Sequence, residues 1–287
     1  YANLNLHVGG EFTAAEGFAR KDLPYAVRYD KYLLYFEPRM RELFKAFCRD
    51  YLTHVNPYRR LRRVDDPGIA LVEITNENSF SKLGPGIAAG LPEPYRGEFK
   101  RQWNVWLAHH YANTAALRQA WGGGDWIVVP PGQSLEARDV EIPVNGWSQP
   151  AQRDAQRFMA GTEEAFTREI VDFLKKDLGV RVPITASQIN YHGPGIVAAT
   201  CDYTDIHSYW QHPRFPRKPW DPLDWTIGNT PMERAPDADA LLARAPWRLL
   251  DRPFTLSEWN IPYPNDYAAS VVPFAAMIAA LQDWDGV

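Results

Sequence analysis

The chain has 287 residues, 45% of them apolar and 23% charged, with a formal net charge of -4. That length suffices for one large domain with a substantial core, and the composition is that of an ordinary globular protein. The charge argues against a nucleic-acid partner, two cysteines are too few for a disulfide framework or a zinc ribbon, and no apolar run is long enough to span a bilayer.

Tyr1 to His7 (YANLNLH) alternates apolar and polar residues and reads as a strand, with Asn5 and His7 near its tip and a loop over Val8 to Gly17. No initiating Met or signal peptide precedes it. His7 reads as a structural histidine or as a site residue. Asp30 to Val55 has apolar residues at three- and four-residue spacing, which predicts a helix. Pro38 within it predicts a kink or a new first turn. The basic run Arg59-Arg60-Leu61-Arg62-Arg63 reads as a solvated loop.

Ile69 to Asn78 (IALVEITNEN) is the stretch around which the chain is organised. Ile69 to Ile74 is apolar except for Glu73 and rich in β-branched residues, then the chain turns abruptly to Thr75-Asn76-Glu77-Asn78. A buried strand that is polar only at its C-terminal tip is what a parallel α/β barrel shows where loops carry chemistry. Glu77 reads either as a catalytic carboxylate or as a solvated side chain at a strand end.

Ser79 to Pro94 is a Gly/Pro-rich loop, longer than a simple connection requires. Glu98 to Trp121 predicts a helix stopped by Gly122-Gly123-Gly124, and Asp154 to Leu178 another stopped by Gly179. Asp125 to Pro150 reads as irregular. Val180 to Tyr191 and Thr204 to Tyr209 are further strands with polar tips. Trp210 to Trp247 is a loop region rich in Trp and Pro, with a helical piece at Ala238 to Arg244. Phe254 to Glu258 is a strand ending in a second carboxylate, and Asn265 to Gln282 a helix containing Pro273. Strands alternating with helices predict a parallel sheet with helices outside it.

There is no GxGxxG after a strand, no GxSxG elbow, no P-loop and no ligand spacing for zinc. No cofactor or metal is expected. Two carboxylates, Glu77 and Glu258, stand at two strand tips, the equipment that glycoside hydrolysis uses. His207 and Tyr209 share one face of another tip, so a Tyr209 hydroxyl bonded to Glu258 would hold it ionised and oriented. There are 11 Trp, 14 Tyr and 13 Phe, many in loops. Their flat apolar faces suit sugar rings, or they fill space beneath the loops.

Thr75-Asn76-Glu77-Asn78, with Glu73 before it in an E-x-x-N-E pattern, resembles the strand-four motif of the retaining glycoside hydrolases of clan A, the cellulase, mannanase and β-galactosidase superfamily. Ile206-His207-Ser208-Tyr209 resembles the strand-six His-x-Tyr of that clan. Leu256-Ser257-Glu258-Trp259 resembles its strand-seven nucleophile, and Asp283-Trp284-Asp285-Gly286 its run into strand eight. Trp103 to Trp121 is similar to a helix that follows strand four in family-5-like and family-42-like enzymes.

The resemblance implies a (β/α)8 TIM barrel and one catalytic domain over residues 1–287. It implies Glu77 as proton donor and general base and Glu258 as nucleophile. Asn76 would contact the substrate 2-hydroxyl, His207 and Tyr209 would position Glu258 or substrate, and Trp259 and Trp284 would line the sugar site. His7 matches the polar residue at the tip of strand three. Glu77 is then expected to have a raised pKa and Glu258 to stay ionised. If Tyr1 to His7 is strand three, strands one and two and an Arg that the clan places near the nucleophile are missing, and strand eight only begins. The expectation is thus a fragment. The implied partner is an oligosaccharide or polysaccharide, with no nucleic acid or membrane. Export is expected only by association with polysaccharide hydrolases. A non-catalytic carbohydrate-binding barrel would need neither glutamate, and a metal-dependent hydrolase or lyase would need a ligand cluster that the sequence lacks.

Overall fold

Pro38 sets the start of the first long helix. The computed structural model describes residues 2–4, 32–122, 126–189, 193–235 and 240–287. It forms two compact units, Tyr1–Val182 and Pro183–Val287. His7, the loop over Val8 to Gly17, Asn190 and Tyr191 lie outside the described residues.

In the first unit, strand β1 (Ala2–Asn3) pairs in parallel with β2 (Val72–Glu73). Helix α1 (Pro38–Thr53) falls between them in sequence, which makes a βαβ unit. The new first turn expected at Pro38 is present, because a proline has no N–H to lose at a helix start and its φ is already helical. Glu37 caps the helix, its carboxylate accepting from the Met40 N–H at 2.6 Å. The strand expected over Ile69 to Asn78 is paired over β2 alone.

The helix expected from Glu98 to Trp121 is two helices, α2 (Tyr95–His110) and α3 (Thr114–Trp121). Asn113 breaks it, its side chain accepting from the Ala116 N–H at 2.9 Å as an N-cap. Helix α4 (Gln149–Asp172) starts earlier than expected, at a Ser148 cap, and continues as a π-helical turn over Phe173–Asp177.

An aromatic core joins these helices. Tyr35 stacks on Phe80 at 5.2 Å, Phe80 meets Phe99 edge-on at 5.4 Å, and Phe99 and Trp103 each meet Phe158 at 5.5 Å. Each such ring buries a large apolar area and gains specific edge or offset contacts. Many of the chain's aromatic residues are therefore structural.

In the second unit, four extended segments run in the same direction. The first contains β3 (Ile184–Thr185) and bonds to its neighbour through Asp202 N–H to Ile184 O at 2.8 Å and Ile189 N–H to Asp205 O at 2.7 Å. Helix α5 (Pro194–Thr200) leads to β4 (Thr204–Tyr209), which pairs in parallel with β5 (Phe254–Asn260). Helix α6 (Val271–Gln282) follows, with Pro273 harmlessly in its first turn. Residues 284–286 then return beside the start of β5, through a parallel bridge between Thr255 and Gly286. Ile206, Phe254 and Leu256 face the helices and pack with Val197, Val271, Ala275 and Ile278 in one buried cluster.

Parallel β/α units are thus present in both halves. Among the described residues, however, the paired strands are short and no closed eight-stranded barrel forms. Also among them, no helix is long and apolar enough to cross a membrane. Cys48 and Cys201 are free and buried.

Candidate active site

The second unit's polar site is built by one irregularity in one strand pair. The β4–β5 ladder matches Asp205 with Thr255 and Ile206 with Leu256, then skips, matching His207 with Glu258 and Tyr209 with Asn260. Ser257 is the extra residue. In a regular strand, adjacent side chains point to opposite faces, so Ser257 and Glu258 could not share one. A bulge removes that restriction and re-aims the side chains after it. Ser257 and Glu258 consequently both meet the Asp205, His207 and Tyr209 face of β4, while Ile206 and Leu256 stay in the core.

The contacts form a chain. Asp205 is fully buried. Its Oδ1 accepts from Thr255 Oγ1 at 2.5 Å, and its Oδ2 from Ser257 Oγ at 2.5 Å and Gln188 Nε2 at 3.1 Å. Ser257 Oγ lies 3.1 Å from His207 Nε2. On the other side of the ring, His207 Nδ1 lies 3.4 Å from Glu258 Oε2. That same oxygen accepts from the Tyr209 hydroxyl at 2.9 Å. Burial pushes the Asp205 carboxyl above its ordinary range, against the lowering effects of Ser257, Thr255, Gln188 and His207. Glu258 is half-exposed, its side chain 40% accessible at the strand's C-terminal end.

In the first unit, Glu77 sits at φ +46, the left-handed region that a non-glycine residue enters at a cost of about 1 kcal/mol or more. It is half-buried, as is Asn76, whereas Glu73, Thr75, Asn78 and Ser79 are buried. The backbone beyond the turn is pinned by Glu163 of α4, itself fully buried. Glu163 Oε2 accepts from the Ser81 N–H at 2.8 Å and from Ser79 Oγ at 3.4 Å, and Ser79 in turn caps the short helix Phe80–Leu83 through the Lys82 N–H. Burial, then the neighbouring Glu163, raise the Tyr35 hydroxyl well above its usual value. A cleft of about 590 Å³ begins a few residues later, between Lys82–Gly86 and Gln149–Gln156. Its lining holds amides and two cations but no carboxylate, so acid–base chemistry on a glycosidic bond does not belong there.

Of the residues singled out in the sequence, His207, Tyr209 and Glu258 meet in the second unit. Asn76 and Glu77 share the turn after β2. Two tryptophans pack against apolar residues of the second unit. Trp259 stands opposite Ser208 in the ladder, on the helix-facing side, and packs against the buried cluster. Trp284 is 9% exposed and packs on Phe254 at 5.2 Å. Phe254 begins β5 and Glu258 lies four residues further on.

The loop tryptophans divide. Trp210 is buried and donates to Thr230 O at 2.9 Å. Trp220 is 68% exposed and meets His212 edge-on at 5.6 Å, and His212 meets Tyr209 edge-on at 5.8 Å. Asp205, Ser257, Gln188 and Glu163 were missed in the sequence. For Asp205 the signal was present, since it shares a strand face with His207 and Tyr209 and an acid inside a strand calls for a partner.

No protein-family model matches the chain, and no curated protein matches it. Among solved structures, it is similar to the hyperthermostable endo-1,4-beta-D-mannanase from Thermotoga petrophila RKU-1 with maltose and glycerol. That match has 12% identity and a TM-score of 0.45, over 88% of this chain and 54% of that one. It is also similar to the endo-beta-1,4-mannanase from Thermotoga petrophila, with 12% identity and a TM-score of 0.46, over 90% of this chain and 42% of that one. The chain spans about half the length of these structures.

Proposed function

We propose that this chain carries the catalytic groups of a retaining β-glycosidase acting on an oligosaccharide or polysaccharide, on strands belonging to a (β/α)8 barrel. The observation that carries the reading is Glu258 itself. It is a carboxylate at a parallel-strand tip, with one oxygen held by the Tyr209 hydroxyl at 2.9 Å and faced by His207 Nδ1 at 3.4 Å. A hydroxyl donor on that oxygen fixes the aim of the carboxylate, as a nucleophile requires. Glu77 supports it from the sequence motif and from its strained backbone, because strain of this kind collects at functional positions.

In this reading the Glu258 carboxylate attacks the anomeric carbon while Glu77 gives its proton to the departing glycosidic oxygen. Glu77, now ionised, takes a proton from water, which attacks the same carbon and releases Glu258. Asn76 bonds the 2-hydroxyl, where hydrogen bonds strengthen toward the transition state. Such a mechanism needs Glu77 and Glu258 to face one cleft with their carboxyls about 5 to 5.5 Å apart. No cofactor enters the scheme. The exposed Trp220, joined to Tyr209 through His212, supports a sugar chain extending along that loop.

The test is hydrolysis of a panel of activated aryl β-glycosides, followed by Glu258→Ala with and without azide. Rescue by azide with formation of a glycosyl azide is the expected result. Binding of oligosaccharide with no turnover by the wild type would favour a non-catalytic carbohydrate-binding scaffold instead.

A further inference from the structure

We infer that Asp205 and Ser257 are positioning residues for Glu258, acting through the proton on His207 Nε2. The consequence for turnover rests on the glycosidase reading; the proton arrangement rests on the contacts among Asp205, Ser257 and His207.

Three donors converge on the two oxygens of Asp205, from Thr255, Ser257 and Gln188. A carboxylate that accepts from three donors is acceptor-only. The single hydroxyl proton of Ser257 is therefore committed to Asp205 at 2.5 Å. Ser257 Oγ then has only lone pairs to offer His207 Nε2, 3.1 Å away. Nε2 must carry a proton to make that contact a hydrogen bond. The ring is held at this end, which leaves Nδ1 as the nitrogen that meets Glu258 Oε2. The bulge makes this possible, since only the extra residue lets Ser257 reach back to Asp205 and His207 while Glu258 reaches Tyr209. Neither Asp205 nor Ser257 touches substrate in this scheme. They keep the ring proton on Nε2, so the nitrogen that faces Glu258 Oε2 is unprotonated and the Tyr209 hydroxyl donates to that oxygen.

The experiment is 15N NMR on the 287-residue chain labelled at its histidines, seven in this sequence, with His207→Asn used only to assign the signals. Wild type should show His207 Nε2 as a protonated, pyrrole-type nitrogen. Ser257→Ala and Asp205→Asn should move the proton toward Nδ1 or broaden both signals, and Ser257→Thr, which keeps the hydroxyl, should restore the wild-type spectrum. On the best aryl glycoside, Ser257→Ala should lower kcat about tenfold, the loss of roughly one hydrogen bond, with little change in KM. Ser257→Thr should recover most of it.

An unprotonated Nε2 in the wild type overturns the inference, and that reading needs no variant to fold. So does an unchanged His207 spectrum in Ser257→Ala, or a changed spectrum with unaltered kcat. If no glycoside is hydrolysed at all, the spectra still decide the proton arrangement, and it is the glycosidase reading that fails.

Discussion

The turn after β2 and the β4–β5 pair each present a glutamate at a strand end, on differently shaped backbone. Glu77 lies in a left-handed turn, with φ +46, and the buried Glu163 grips the next segment through Ser79 and Ser81. Glu258 is held by side chains, through a bulged register and direct contacts with Tyr209 and His207. The cores beneath them differ as well. The first unit packs ring on ring, the second mainly aliphatic groups. A left-handed φ fixes the direction in which a side chain leaves the backbone, whereas a hydrogen bond to a carboxylate oxygen fixes where the side chain ends.

The sharpest way to separate the two glutamates is by leaving group. Glu258→Ala should lower turnover of every aryl glycoside by about three orders of magnitude. Glu77→Ala should cost least on the most acidic phenol, which needs no proton donor, and progressively more on poorer leaving groups. A steady-state series over phenols of graded acidity measures both.

Next in size is the contrast between cores. Phe99→Ala removes a buried ring from the first unit's aromatic core and should cost about 3 to 5 kcal/mol in urea unfolding. Trp284→Phe in the second unit should cost far less. Among the described residues the buried indole N–H of Trp284 has no hydrogen-bond partner, so removing it relieves a desolvated group by about 1 kcal/mol against the loss of volume.

The strain at Glu77 makes a smaller prediction of opposite sign. Glu77→Gly should abolish catalysis yet raise stability by up to about 1 kcal/mol, since glycine adopts a positive φ without steric cost. Thermal unfolding would read this as a shift of about 2 to 4 °C upward. An unchanged or lowered melting temperature would mean that the turn is not strained by its side chain.

The smallest effect is a pH dependence at Asp205. Burial raises its carboxyl above the ordinary 3.8, so the folded state binds this proton more tightly than the unfolded state. The contribution of this group to stability is full below about 3.8 and declines as pH rises through the folded value. The stability of wild type relative to Asp205→Asn should therefore move against the wild type on raising pH from that point. A difference that does not vary with pH would contradict the assignment of burial as the dominant cause.

Local patterns were legible where local chemistry decides. The span of β4 follows from its alternation, the start of α1 follows from Pro38, and the parallel β/α units follow from the order of strands and helices. The break at Asn113 was legible in kind, because Asn is a capping residue, but the apolar stripe running across it masked the signal. The bulge at Ser257 was not legible. A bulge exists only relative to a partner strand, and nothing in Leu256-Ser257-Glu258 says which residues of β4 it will face. That is why His207 and Tyr209 could be named as neighbours of Glu258 while Ser257 was missed. The place of Trp284 was not legible for a related reason. It depends on where residues 284–286 pair along β5, and they pair at its beginning.

The central claim is that Glu258 forms a bond to sugar. It is tested most directly by incubating the protein with a panel of 2-deoxy-2-fluoroglycosyl fluorides and measuring its intact mass, then locating any adduct by peptide mapping. The account predicts one added glycosyl unit, carried on the peptide that contains Glu258 and absent in Glu258→Gln. An adduct on another residue, or hydrolysis of glycosides with inversion and no adduct from any sugar, would contradict it.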